Sequence, residues 1–165
     1  MKKHLFFICP TDHLEGIINR RFKQENYFLT SLGNSLQLEY DSVNEIQELI
    51  LRRNITEISF VLAHDNRFVL DALHHAELAR VSGMGNFYHS MSKLHRKTKI
   101  VWQPGNFRTL TLSHLLVDQI KALKSRLKYQ LNDRIQMDAK IYDRSKNQFN
   151  DAAPELYHLE RFCLN

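Results

Sequence analysis

A single α/β domain, with a mainly parallel sheet flanked by helices and an edge strand near the C-terminus, is the architecture the sequence predicts. Two observations carry it. Leu5–Ile8 is an unbroken apolar run and Ile58–Leu62 is apolar but for Ser59; both are of strand length, as expected of strands buried on both faces. Each is followed by apolar residues repeating every three to four positions, so strands alternate with helices along the chain.

Residues 3–9 read as the first strand, and Leu14, Ile17, Ile18 and Phe22 give a helix over 14–23 with Asp12 as candidate cap. Tyr27–Thr30 is a short strand entering a Gly33-Asn34 turn. Ser42 is expected to open a second helix, with Glu45 completing a capping box and Val43, Ile46, Leu49 and Ile50 on one face. A strand over 57–62 follows. Phe68 to Val81 reads as a third helix closed by Gly83 and Gly85. Residues 86–108 show no clear period; Lys99–Trp102 is a candidate strand and Gln103–Asn106 a turn. Leu110 to Leu131 is the longest helical pattern, and Ile135–Asp143 alternates apolar with polar, as a half-exposed edge strand does.

At 165 residues the chain can bury a substantial core, and 43% apolar with 25% charged residues is the balance of an ordinary globular protein. We read residues 1–165 as one domain. No apolar stretch reaches the roughly 20 residues that span a bilayer, so no membrane association is expected. Lys2 and Lys3 precede an apolar run, but Leu5–Cys9 is shorter than the about 7–15 residues of a signal-peptide core. Two cysteines, Cys9 and Cys163, make no disulfide framework, and a cytoplasmic location is expected. The net charge of +5 is uneven: residues 1–82 hold 9 basic against 11 acidic side chains, residues 83–165 hold 14 against 7. A basic half attracts polyanions, although Lys93, His95, Arg96, Lys97 and Lys99 match no recognised nucleic-acid motif, and nucleic acid is not the expected partner.

Both apolar runs end in a metal-ligand type. The first runs into Cys9-Pro10-Thr11-Asp12-His13 and the second into Ala63-His64-Asp65-Asn66-Arg67. On neighbouring parallel strands, Cys9 and His64 would sit side by side at the carboxyl ends, where open α/β sheets place ligands. In order and spacing, Cys9, Gly33-Asn34, Val61-Leu62-Ala63-His64 and the segment from Ile135 to Asn147 resemble the β-class carbonic anhydrases from Lys3 to about Asp151. That family ends its first strand in Cys-x-Asp-Ser-Arg and a later one in Gly-His-x-x-Cys-Gly. The long amino-terminal arm of many members has no counterpart, so a compact form is expected.

The resemblance implies zinc held by two cysteines and a histidine, with an Asp-Arg dyad orienting the bound hydroxide. Cys9 and His64 match two of the ligands; the second cysteine's position is Arg67, whose guanidinium has no lone pair for a metal. The dyad positions are Thr11 and His13, and the family's Arg-Asn-Ala turn is Thr30-Ser31-Leu32. Carbon dioxide hydration needs a zinc-bound water with a pKa near 7, and catalytic zinc sites use three protein ligands. The leading expectation is therefore a relative without hydration activity and without a cofactor. On this reading His13, His64 and Arg67 line a cationic pocket for bicarbonate, phosphate, sulfate or a small carboxylate, or Arg67 plugs the site by pairing with Asp12 or Asp65.

Two alternatives stand beside it. A divergent zinc lyase would use Cys9, His64 and His13, completed by Asp12 or Asp65; an interaction protein would use the basic half against a polyanion. The His74-His75 pair reads as structural, because adjacent helical residues do not face one metal. A homodimer is expected from the resemblance, with the apolar side of Ile135–Tyr142 and the aromatic region 86–102 as candidate contact surfaces.

Overall fold

The computed structural model describes residues 2–98, 107–128, 131 and 133–152. Five strands form one sheet in the order β2-β1-β3-β4-β5: β1 (Lys3–Ile8), β2 (Glu25–Thr30), β3 (Glu57–Ala63), β4 (Gln136–Asp143) and β5 (Gln148–Asp151). The first four pair in parallel and β5 returns antiparallel along β4. Among the described residues the α-helices that accompany them are α1 (Glu15–Arg21), α2 (Tyr40–Arg53), α3 (Arg67–His74), α4 (Gly85–Thr98) and α5 (Phe107–Arg126). The expected fold class is the one formed.

Alternation along the strands divides the core. Leu5, Phe7, Cys9, Ile58, Phe60, Leu62, Ala139 and Ile141 join the large cluster with residues of α2–α5, and Phe7 stacks on Phe60 at 4.6 Å. Phe6, Ile8, Val61 and Tyr142 face the other way, onto Leu14 and Ile18. Both sides of β1 and β3 are therefore buried and mostly apolar, the exceptions being His4 and Ser59, which bond each other at 2.7 Å; their sequences accordingly read as apolar runs rather than alternations.

Several boundaries depart from the sequence reading. Asp12 does not cap α1; it lies in a short 3-10 turn over Pro10–Asp12, and the α1 N-cap is Leu14. Helix α2 starts at Tyr40 after Glu39, without a side-chain cap, so the Ser42 capping box is not used. The third helix stops at His74 because Asp71 gathers the following turn. Its backbone carbonyl accepts the N–H groups of His75 and Ala76, while its carboxylate accepts those of Glu77 and Leu78 and the Tyr88 hydroxyl. Ala76 turns left-handed there, at φ +55°.

Residues 85–98, which showed no clear period, form α4, with Phe87, Tyr88 and Met91 buried. The expected strand at Lys99–Trp102, the turn at 103–106 and Cys163 lie outside the described residues. Strand β4 is not the edge; it has β3 on one side, and β5 forms the edge. Of the residues expected to form contact surfaces, Ala139, Ile141, Tyr142, Phe87 and Tyr88 are buried within the chain and Met137 is half-buried, while 99–102 lie outside the described residues. No helix among the described residues is long and apolar enough to cross a membrane.

Candidate functional site

The pairing of Ile8 with Val61 makes β1 and β3 neighbours and puts both chain reversals at the same end of the sheet. Cys9 leaves β1 on the large-core side and has no exposed surface. Its sulfur accepts the Gly33 N–H at 3.2 Å and lies 3.1 Å from the Thr11 hydroxyl. The Gly33-Asn34 turn thus delivers a backbone donor to the thiol. Only a residue without a Cβ fits: Gly33 has φ +60°, and a Cβ would stand 2.9 Å from the Phe87 ring. Asn34, fully buried at φ +56°, donates to the carbonyls of Phe7 at 3.0 Å and Val61 at 3.2 Å. It ties the two strand ends together, and its own Oδ1 has no partner among the described residues.

His64 lies beyond β3, where its backbone N–H bonds Tyr142 O at 2.8 Å. Its ring is turned toward α5: Nε2 stands 3.3 Å from the Thr109 hydroxyl. A cavity of about 420 Å3 collects His64, His74, His95, Phe107, Arg108 and Thr109. Arg67, the first residue of α3, is exposed and lines an adjoining cavity of about 580 Å3 with Asp65, Asp71, His74, Glu77 and Arg108. His13 is exposed at the end of the 3-10 turn, left-handed at φ +52°, and lines neither cavity. His64 and Arg67 therefore flank one region that shares His74 and Arg108, and His13 stands outside it.

Asp12 is the site residue that sequence reasoning placed wrongly. It is 1% exposed, and its carboxylate accepts the Ala63 N–H at 2.8 Å and the Asn66 amide at 2.8 Å. Asn66, also buried, caps α3 by accepting the Val69 N–H at 3.1 Å. Burial pushes the Asp12 carboxyl above its ordinary range, opposed by the Ala63 and Asn66 hydrogen bonds. Arg144, from the β4–β5 hairpin, holds both oxygens of Asp65 at 3.1 Å and donates to the backbone oxygen of Asp12. Both acids expected to pair with Arg67 thus have other partners, and the plug reading is corrected: Asn66 and Arg144 close the strand ends. The clue in the sequence was Asn66, a strong N-cap residue directly ahead of the Phe68 periodicity.

These donors do not fit a zinc centre. The Cys9 sulfur is already engaged by Gly33 and Thr11, the His64 Nε2 is turned to Thr109, and Asp12 is held on both oxygens. Among the described residues, no group of three or more His, Cys, Asp or Glu is placed to hold a metal ion.

The architecture itself defines a class: a four-stranded parallel sheet with an antiparallel C-terminal edge strand, and a cleft beside the carboxyl end of β3. No protein-family model and no curated protein matches the chain. Solved structures do. The β-carbonic anhydrase CafD of the filamentous fungus Aspergillus fumigatus superposes with a TM-score of 0.73 at 11% identity, covering 93% of this chain and 90% of that one. CafA of the same fungus gives 0.70 at 15% identity over 98% and 82%. A tetrameric β-carbonic anhydrase of Sordaria macrospora gives 0.64 at 10% identity over 91% and 80%. The chain has the β-carbonic anhydrase fold.

Proposed function

We propose that this protein keeps the β-carbonic anhydrase fold as a scaffold, does not hydrate carbon dioxide, and binds a small anion at the carboxyl ends of its strands. The observation that carries the reading is Arg67. It stands at the family's second-cysteine position, its side chain is exposed on the cleft, and among the described residues it is paired with no carboxylate. With Arg108 it gives the cleft two permanent guanidinium groups suited to planar or tetrahedral oxyanions. Two of the acids beside it are already engaged, Asp65 by Arg144 and Asp71 by Tyr88 and the 77–78 backbone. His64 and Thr109 supply further hydrogen-bonding groups next to Arg108. His13 lines neither cavity and stands at the edge of this reading. One domain over residues 1–165, associating as a dimer, completes it; the shared fold with a tetrameric fungal enzyme supports self-association.

The test is threefold. Protein purified without chelators is expected to carry substoichiometric zinc and to show no stopped-flow hydration above the buffer rate. Titration with bicarbonate and with inorganic phosphate is expected to shift the His64 ring resonances saturably, and Arg67→Ala is expected to weaken binding about tenfold. Stoichiometric zinc that disappears in Cys9→Ala would sink the proposal and favour the zinc lyase using Cys9, His64 and His13. Light scattering reports the association state.

A further inference from the structure

A second basic cleft lies away from the strand-end site, between the end of α1 and the β4–β5 hairpin. It encloses about 470 Å3, the size of a small-molecule site, and is lined by Ile17, Arg20, Arg21, Lys146, Gln148 and Phe149, with Asn147 beside them. Among the described residues, no carboxylate lines it. Among the described residues, Arg20 and Arg21 are paired with no acid, and Lys146 has only a loose contact with Asp143 at 3.8 Å while 72% exposed. Such a contact contributes little.

Cations at the last turn of a helix have a structural reason of their own, the negative end of the helix dipole. That reason does not reach Lys146, which comes from the hairpin on the opposite wall. Three positive charges from two separate elements therefore converge on one concavity. Its floor is apolar: the half-buried Phe149 ring is braced edge-on by Phe22 at 5.3 Å and lies 4.8 Å from Tyr142, with Ile17 beside it. The Tyr142 hydroxyl in turn holds Asn147 at 2.8 Å, fixing the hairpin that carries Lys146.

We propose that this cleft binds a small phosphorylated aromatic compound of mononucleotide size. Its phosphate is held by Arg20, Arg21 and Lys146, and its ring rests on Phe149. Two forked guanidinium groups and a point-charge ammonium suit a phosphomonoester, which carries more charge and more acceptor oxygens than a carboxylate. The aromatic floor adds a contact that inorganic phosphate cannot make.

The experiment is calorimetric titration with adenosine monophosphate, inorganic phosphate and adenosine, at two salt concentrations. The monophosphate is expected to bind more tightly than either part alone, and more weakly at the higher salt. Arg20→Ala/Arg21→Ala is expected to weaken it about tenfold or more, with an unchanged melting temperature because both side chains are exposed. Phe149→Leu should bring the monophosphate down to the affinity of inorganic phosphate, and Lys146→Ala should weaken both phosphates alike. The titrations are repeated in Arg67→Ala, which weakens phosphate binding at the strand ends but should leave the preference for the monophosphate over inorganic phosphate at this cleft unchanged, so the two anion sites stand or fall separately. Absence of saturable binding at millimolar ligand would overturn the proposal. So would a double variant that binds like wild type, or an oligouridylate that occupies the cleft while the monophosphate does not.

Discussion

Replacing Asp12 with alanine should be among the most damaging single changes in this protein, although the residue sits in a turn. The carboxylate is 1% exposed and accepts two buried donors, Ala63 N–H and the Asn66 amide, each at 2.8 Å. Leaving one such donor unpaired costs roughly 1–3 kcal/mol, so the pair gives about 2–6 kcal/mol. The variant also relieves the cost of burying a carboxylate, visible in its raised pKa, which places the expected net loss near the lower half of that range, about 3 kcal/mol. Asn66 cannot compensate, because its Oδ1 already caps α3.

The assay is equilibrium urea unfolding of wild type, Asp12→Ala, Asn66→Ala and the double variant. The two side chains share a hydrogen bond, so the double variant should lose less than the sum of the singles by more than about 0.5 kcal/mol. The pH dependence has a definite sign. A carboxyl whose folded pKa is raised contributes stability that is present at low pH and lost as pH rises through the folded value. The gap between wild type and Asp12→Ala should therefore widen as pH is lowered from neutral into the carboxylate range. A loss below about 1 kcal/mol, or strictly additive singles, would refute the reasoning.

Burial holds the His4 pKa below its ordinary value, in a setting that includes Glu57, Asp138, Lys140 and Lys2. The fold accepts the neutral ring, bonded to Ser59 at 2.7 Å, so stability should be full above the ordinary histidine range and fall as pH drops through it; urea midpoints at pH 7.5 and 5.5 should differ, and less so in His4→Gln. Gly33→Ala forces a left-handed alanine whose Cβ lies 2.9 Å from the buried Phe87 ring, costing roughly 1–3 kcal/mol and about 2–4 °C of melting temperature per kcal/mol. Arg144→Ala, by contrast, removes a half-exposed ion pair with Asp65, and its melting temperature should fall by less than that of Asp12→Ala.

Much of this was legible in the chain, for reasons that are local. Strands β1 and β3 are buried on both faces, so their character is written in consecutive residues and needs no partner to be read. The Gly33-Asn34 turn announced itself because few residue types tolerate left-handed backbone. Arg67 at a ligand position was visible as a substitution that no packing could turn back into a metal ligand. Helix α4 escaped detection because its buried residues Phe87, Tyr88 and Met91 include two adjacent ones, which blurs the period on which such a reading rests.

What the sequence by itself determined is the alternation of strands and helices, and that Arg67 rather than a cysteine stands three positions after His64. What only the tertiary structure decided is which side chain answers which. Asp12 accepts from residues 51 and 54 positions away, the Cys9 sulfur is met by Gly33, and Arg144 reaches back 132 positions to the Asp12 carbonyl. Periodicity and capping preferences are short-range and survive in the unfolded chain's own order. The partner of a buried polar group is chosen by desolvation, which exists only once distant segments have packed together.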